Sequence, residues 1–372
     1  MVNFTIKEIS FENVNKVIDF LNKNFSSREK NFFFSEDIFK SKIFQNPYQE
    51  GIVVCAESED GRIIGTASLT PKKIYINQRE EIVAEIGDTY SFQAKSYIKK
   101  YGKQKYNLND KFDNDNKLYG NENFIRKSIF GSLVNYLLNN AKKKKINIVY
   151  GTANSQSMSS YINRFSFQKI NSNQIIDYWL ITPYIVNKKF LFTKKINYFL
   201  NIFFHLFYFF YFKKINFNSN FIIQKCLNFE NLKIDIDNLW ETSKKNNSLQ
   251  KDFEYMKWRF SSIDYEKFFL FEKKKLVSWI IIKKQEALDY KKITICDFNF
   301  ICSKKNFYWF FYCILLKSNY QKYAVNFWSN SNNIFSEKKF FYKKKNINLI
   351  MNSTNEGLKG ISDFTIACSD NI

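Results

Sequence analysis

Histidine is nearly missing from these 372 residues: there is one, His205, and it lies in an aromatic stretch. A Ser-His-Asp or Cys-His catalyst needs an imidazole beside its nucleophile, so this single ring argues against both. Six cysteines, at 55, 226, 296, 302, 313 and 368, include no C-x-x-C pair. Zinc sites need Cys or His ligands at short, regular spacing, and none is found, so no metal is expected. Most of the cysteines sit in apolar runs such as VVCAE and read as small core residues. The chain has no P-loop and no G-x-G-x-x-G. Its first residues, MVNFTIKEISFENV, lack the apolar run of a signal peptide, which points to the cytoplasm.

Acidic residues are also in short supply. Lys and Arg number 57 against 35 Asp and Glu, a formal charge of +22. Such a balance suits nucleic acid or an anionic membrane. Lys, Asn, Ile, Phe and Tyr are all abundant, however, as an AT-rich genome would give, and lysine then fills surface positions. No specific nucleic-acid partner is expected, although a basic nucleic-acid-binding protein stays open as an alternative. A hydrophobic content of 45% and an aromatic content of 19% exclude a disordered chain.

One segment tests the soluble reading. Residues 196–212, INYFLNIFFHLFYFFYF, are uncharged between paired lysines. Asn197, Asn201 and His205 recur at i, i+4 and i+8 and form one polar stripe on a helix. The stretch fits packing between domains, peripheral contact with a membrane at its inner face, or a minimal span.

The chain then resolves into two similar halves. GIVVCAES (51–58) and RIIGTASL (62–69) are strand-like and joined at Asp60-Gly61, a hairpin signal. Residues 72–91 read as a further strand pair, and 93–123 as an insertion or loop. Ile125, Ile129, Phe130, Leu133, Val134, Leu137, Leu138 and Ala141 mark a one-faced helix. INIVYGT (146–152) follows as a strand, and SQSMSSYINRF (155–165) as a helix with Ser155 as its cap. In the second half, 236–245 and 306–318 read as helices, and 268–282, 292–301 and 323–329 as strands. SEKKFFYKKK (336–345) reads as a helix, and 347–353 and 363–369 as closing strands. A strand–helix–strand crossover beside antiparallel strands makes a mixed α/β sheet. The repeated order suggests a tandem duplication.

Two turns carry candidate chemistry. A helix N-terminus offers unpaired N–H groups and partial positive charge to an anion. The helix opening at Arg126 and Lys127 has small residues at Ser128, Gly131 and Ser132, with Ile129 and Phe130 directed inward. In VYGTANSQS, Gly151 ends a strand and Asn154 stands at its carboxyl end, a favoured binding position; both also suit a plain turn.

Together these segments, IRKSIFGSLVNYLLNNAKKKKINIVYGTANSQSMSSYINRFSF, resemble the acetyl-CoA-binding core of the GNAT (GCN5-related) N-acetyltransferase superfamily. The likeness covers about residues 1–170. The remainder, with DFEYMKWRF and DFTIACSDNI, is similar to the second domain of bacterial two-domain forms, some tied to polysaccharide or sugar biosynthesis. The resemblance implies two tandem GNAT-like domains, each a mixed, mostly antiparallel sheet flanked by helices. The domains would be 1–170 (catalytic, with the 93–123 insertion) and 221–372 (non-catalytic), with 171–220 as connector. It implies acyl-CoA, and specifically acetyl-CoA, as cosubstrate and a small-molecule amine or amino sugar as acceptor. The pyrophosphate would lie on residues 126–132, namely Arg126, Lys127, Ser128, Ile129, Phe130, Gly131 and Ser132. Asn154 would meet the pantetheine arm, Glu85 or Asp88 would take the amine proton, and Tyr161 would protonate the leaving thiolate. Ser128 where the family has glycine, and a glycine-free loop at 302–311, keep a catalytically inactive GNAT-fold binding protein open.

Overall fold

In a computed structural model, the described residues are 4–25, 35–92, 128–170, 175–190, 194–213, 220–287, 290–330, 341–353 and 361–368. They form two compact units. The first takes the described residues up to 74, from 80 to 170 and from 348 to 353. The second takes 75–79, 175 through 347 and 361–368. This division is not linear along the chain: residues 175–220 group with the second unit, and a late segment joins the first.

The first unit contains β1 (Phe4–Glu8), α1 (Val14–Phe25), α2 (Glu36–Ile43), β2 (Ile52–Ser58), β3 (Ile63–Ile76) and β4 (Arg79–Ser91), and then α3 (Ile129–Lys143), β5 (Ile148–Ala153), α4 (Ser155–Phe165) and β6 (Gln168–Lys169). Its sheet runs β1-β2-β3-β4-β5, closed by residues 348–353. The hairpin signal at Asp60-Gly61 joins β2 and β3 antiparallel, with Gly61 at φ +77°, a conformation glycine takes without penalty. β3 is one strand of 14 residues that continues through Pro71 rather than restarting at residue 72. It turns into β4 at Asn77 and Gln78, both at positive φ, as a two-residue hairpin loop demands.

The 3.6-residue period of α3 is realised in burial. Ile129, Leu133, Val134, Leu137 and Ala141 lie under the sheet in one cluster with Ile64, Ala67 and Val149. Each fully buried large side chain contributes about 1.5–3 kcal/mol. The helix ends in Lys142 and Lys143, which face the negative end of its dipole.

The second unit contains β7 (Ile175–Leu180), α5 (Pro183–Phe190), α6 (Lys194–Lys213), β8 (Phe221–Cys226), α7 (Lys233–Ser243), β9 (Ser248–Leu249), α8 (Phe253–Phe260), β10 (Tyr265–Glu272), β11 (Lys275–Ala287), β12 (Tyr290–Phe300), α9 (Lys304–Lys317), β13 (Ala324–Asn330) and β14 (Phe341–Ser353). Its sheet runs from residues 341–347 of β14 through β7-β13-β12-β11-β10-β8. Each unit has one parallel pair bridged by a helix: β4 and β5 with α3, and β12 and β13 with α9. The other strand pairings of known register are antiparallel, and Ser248 forms an isolated parallel bridge with Ser362. The mixed, mostly antiparallel α/β architecture expected from the sequence is therefore present in both units.

Three local expectations are corrected. Residues 341–345 are strand, not helix: Phe341 through Ile347 pair with β7 from Leu180 back to Ile175. Ladder bonds to a strand buried at every position outweigh the helix preference of a lysine run whose side chains stay in water. Strands were expected at 363–369, but Ile366–Cys368 is a single 3-10 turn. Its approach is fixed by side chains, because Asn330 Nδ2 donates to the Ile361 carbonyl (3.2 Å) and Asn330 Oδ1 accepts from the Phe364 N–H (2.7 Å). Finally, the expected connector contains β7, an interior strand of the second unit.

Gly65 sets how closely α3 lies on β3. A Cβ there would stand 2.7 Å from Ile129 Cγ2, 3.0 Å from Leu133 Cδ1 and 3.2 Å from the Tyr90 carbonyl oxygen. Gly65→Ala should destabilise the chain by ~1–3 kcal/mol through overpacking, read as a lower urea midpoint with an unchanged m-value.

Candidate functional site

The strands β4 and β5 pair only at Ala84↔Val149 and Glu85↔Tyr150. Beyond Glu85 the two run on without recorded pairing. Two features act at that point. A Cβ on Gly151 would lie 3.0 Å from both Ile86 Cγ2 and the Ile86 carbonyl oxygen, so glycine lets β5 stay close to β4 at this last position. Asp88 then takes φ +45°, outside the extended range, and bends β4, which runs on to Ser91. Where strands part, their backbone groups must find partners other than each other.

Both candidate carboxylates lie on β4 at this parting; Glu85 is buried, and Asp88 is half-buried with its side chain turned inward, 6% exposed. Glu85 accepts from Lys72 Nζ at 2.5 Å, with side-chain exposures of 2% and 3%. Lys72 also stands 5.7 Å from the Tyr150 ring centroid. Asp88 is paired with Lys42 and accepts from Ser68 Oγ at 2.6 Å. The lysine partners were not foreseen; they come from α2 and β3, distant in sequence from the carboxylates they meet.

Tyr161, on α4, is buried and donates to Thr89 Oγ1 at 3.2 Å. Thr89 in turn donates to the Gly87 carbonyl at 3.1 Å. The phenol therefore reaches β4 beyond its last paired position. Its ring meets Phe130 and Phe167 edge-on, each at 5.1 Å between centroids. Burial pushes the phenol up to about 12, and the Thr89 hydrogen bond offsets this only in part.

At the head of α3, Ser128 is the cap: its Oγ accepts from the Gly131 N–H (2.9 Å) and its carbonyl from the Ser132 N–H (2.8 Å). Helix geometry leaves the Ser128, Ile129 and Phe130 amides without intrahelical acceptors. Ile129 and Gly131 are buried, whereas Ser128, Phe130 and Ser132 are half-buried. Arg164 of α4 brings Nη1 to 3.4 Å from Ser128 Oγ, placing a cation at this turn that the sequence did not point to. Arg126, Lys127 and the 93–123 segment lie outside the described residues.

Asn154 is exposed and caps α4, accepting from the Ser157 N–H at 2.8 Å and from Ser157 Oγ at 3.0 Å. The helix cap is thus Asn154 and not Ser155. An Asn side chain reaches the third residue ahead as readily as Ser does, and the strand runs to Ala153, one residue beyond its expected end, so Asn154 alone separates it from the helix at Ser155.

The second unit holds a different arrangement at its parallel pair. The Asp297 carboxylate, wholly buried, accepts from Lys251 Nζ (2.6 Å), Tyr255 OH (2.8 Å), Thr365 Oγ1 (2.8 Å) and the Phe298 N–H (2.8 Å). Burial pulls Lys251 down, but the charge and hydrogen bond of Asp297 more than offset this and leave it raised. Burial, with Asp297, holds the Tyr255 phenol well above its ordinary value.

Solved structures share this fold. A GCN5-related N-acetyltransferase from Anabaena variabilis aligns over 95% of this chain and 73% of its own, at TM-score 0.57 and 12% identity. Another from Kribbella flavida aligns over 94% and 71%, at TM-score 0.52 and 7% identity. The chain has the GNAT fold. Saccharomyces cerevisiae N-myristoyltransferase, solved with bound myristoyl-CoA, also aligns, over 95% of this chain and 80% of its own at TM-score 0.59 and 10% identity. No protein-family model matches the sequence, and no curated protein does. The two units described above are accordingly GNAT-like units in tandem.

Two outcomes are expected from this geometry. Lys72→Met strands the Glu85 carboxylate in the first unit's interior and should cost ~3–5 kcal/mol, while Lys72→Met with Glu85→Leu should recover most of it; urea denaturation of the three chains checks both. Tyr161 gives a pH dependence. Below the unfolded value of 10.0 its contribution is intact; between 10.0 and about 12 only the unfolded chain releases the proton, so stability falls as pH rises. Tyr161→Phe should remove that component, giving a smaller drop in urea midpoint across this window than the unaltered chain shows.

Proposed function

We propose that the chain is an acyl-CoA-dependent N-acyltransferase that moves an acetyl group to an amine of a small molecule or amino sugar. The observation that carries this reading is the parting of β4 from β5 beyond Glu85, with the capped N-terminus of α3 in the same unit. The solved neighbours that are N-acetyltransferases, and the yeast enzyme holding myristoyl-CoA, support acyl-CoA as the donor class.

The amides of Ser128, Ile129 and Phe130, together with the half-buried Ser132, suit a diphosphate, since a helix N-terminus combines free donors with partial positive charge. Gly131 keeps the turn low, and Arg164 adds a cation. Arg126 and Lys127 complete the same proposal from the sequence. Asn154, at the end of β5, would meet a pantetheine amide. Acyl-CoA supplies an activated thioester carbonyl. Glu85 or Asp88, each already holding a lysine, receives the amine proton through water. Tyr161 keeps its proton at neutral pH and can hand it to the departing sulfur. Phe130, Phe165 and Phe167 pack around Tyr161, which favours a short acyl group over a long one. The second GNAT-like unit is proposed to hold no donor.

The same buried lysine pairs favour a second reading, a binding protein that retains acyl-CoA without turnover. Thermal-shift measurement with acetyl-CoA, coenzyme A and long-chain acyl-CoA, followed by mass spectrometry of amino-sugar acceptors, separates the two. Acetyl-CoA should raise Tm and yield acetylated product; a shift without product supports the second reading. Ser132→Glu places a carboxylate in the first turn of α3, where it favours the helix but repels a diphosphate. The variant should hold the Tm of the free chain and weaken acetyl-CoA by at least ~10-fold, equivalent to about 1.4 kcal/mol. No shift with any acyl-CoA would overturn both readings.

A further inference from the structure

The helix α6 turns its aromatic face outward. On one side it packs against α5 and α9, and Phe204 joins the core of the second unit. On the other, Phe199, Ile202, Phe203, Leu206 and Phe207 recur at intervals of 3, 1, 3 and 1 and are all exposed, Phe199 at 70% and Phe203 at 61%. Tyr198 extends the stripe, and Phe190 stands exposed at the end of α5. Of the polar stripe read from the sequence, Asn201 is half-buried and His205 exposed. A contiguous apolar face of this kind marks an interaction surface, not ordinary scatter.

Charge identifies what covers it. From residue 183 to residue 214 there is no Asp or Glu, and lysines stand at 188, 189, 194, 195, 213 and 214, at both ends of the aromatic stripe. Lys188 and Lys189 are exposed. A second copy of the chain would bring lysine pairs against lysine pairs, whether the two helices ran parallel or antiparallel. An acidic surface relieves that repulsion and accepts the rings. No helix among the described residues is long and apolar enough to cross a membrane, and α6 already spends one side on its own unit.

We propose that the outward face of α6 docks on the surface of an anionic lipid bilayer. The helix lies flat in the headgroup region, its rings at the acyl boundary and its flanking lysines on lipid phosphates. This does not depend on acyl-CoA binding, since neither α5 nor α6 contributes to the proposed donor site.

Flotation of the full chain with phosphatidylcholine vesicles, with and without phosphatidylglycerol, at low and high salt, tests the assignment. Sedimentation velocity in the same buffers reports the oligomeric state. The chain should float with the acidic vesicles at low salt, and less at high salt or with neutral vesicles. Phe199→Ser with Phe203→Ser should lower partitioning by ~10-fold or more, and Lys188→Ser with Lys189→Ser by roughly 10- to 30-fold. Both pairs should leave the melting temperature and any acetyl-CoA shift unchanged, so a failure here is distinct from a failure of the proposed chemistry. In Phe203→Trp, brominated acyl chains should quench the indole. Failure to float with acidic vesicles, or flotation indifferent to both substitution pairs, overturns the proposal. So does a dimer that Phe199→Ser with Phe203→Ser dissociates, which would make this face an interface between copies.

Discussion

Everything proposed for the first unit depends on β4 losing its neighbour after Glu85. Sheets are held by ladder bonds, and a strand that leaves its partner must put its N–H and C=O groups somewhere else. Here the departure is built into the sequence. Gly151 permits the close approach at Ile86, and Asp88 bends the chain immediately afterwards. The carboxylates, the Thr89–Tyr161 contact and the head of α3 all belong to the unit this opening serves. A regular pairing through residue 91 would have closed the opening on which the proposed donor site rests.

The buried charge along β4 is the other organising feature. Lys72 with Glu85 and Lys42 with Asp88 place two ion pairs in an interior that hydrophobic residues could fill, and Lys251 with Asp297 does the same in the second unit. Such pairs rarely add net stability, because desolvating both ions costs about what their attraction returns. What they supply is direction. A lysine inside a core tolerates few positions for its carboxylate, so each pair ties a strand to one register. Asp297 also draws Thr365 toward itself, which fixes the late segment at 361–368.

Much of this was legible in the sequence where the signal was local. The Asp60-Gly61 turn, the one-faced period of α3 and the small residues at its head could be read directly, and their order was enough to suggest two GNAT-like units. Features that depend on distant partners were not. The lysines of β14 look helical by themselves and become a strand only because β7 lies beside them. β7 was hidden inside an apparent connector, although IIDYWL is an unbroken apolar run apart from Asp177. Lys42 and Lys72 read as surface charge, and nothing local announces that each will be enclosed. The outward aromatic face of α6 was left open for the opposite reason, because its period fitted packing between domains, peripheral membrane contact or a minimal span equally.

The division of β14 has a consequence for synthesis. Residues 341–347 build the second unit, and 348–353 bond along β5 in the first, from Asn348↔Ala153 to Ser353↔Ile148. The first unit therefore cannot finish its sheet while the ribosome is still translating the second. Until Ser353 emerges, β5 has a bare edge, and an uncovered strand edge recruits whatever extended chain is nearby. The nascent protein should thus need shelter at β5 for the whole time its second half is being made, and the two units mature as one event rather than in succession.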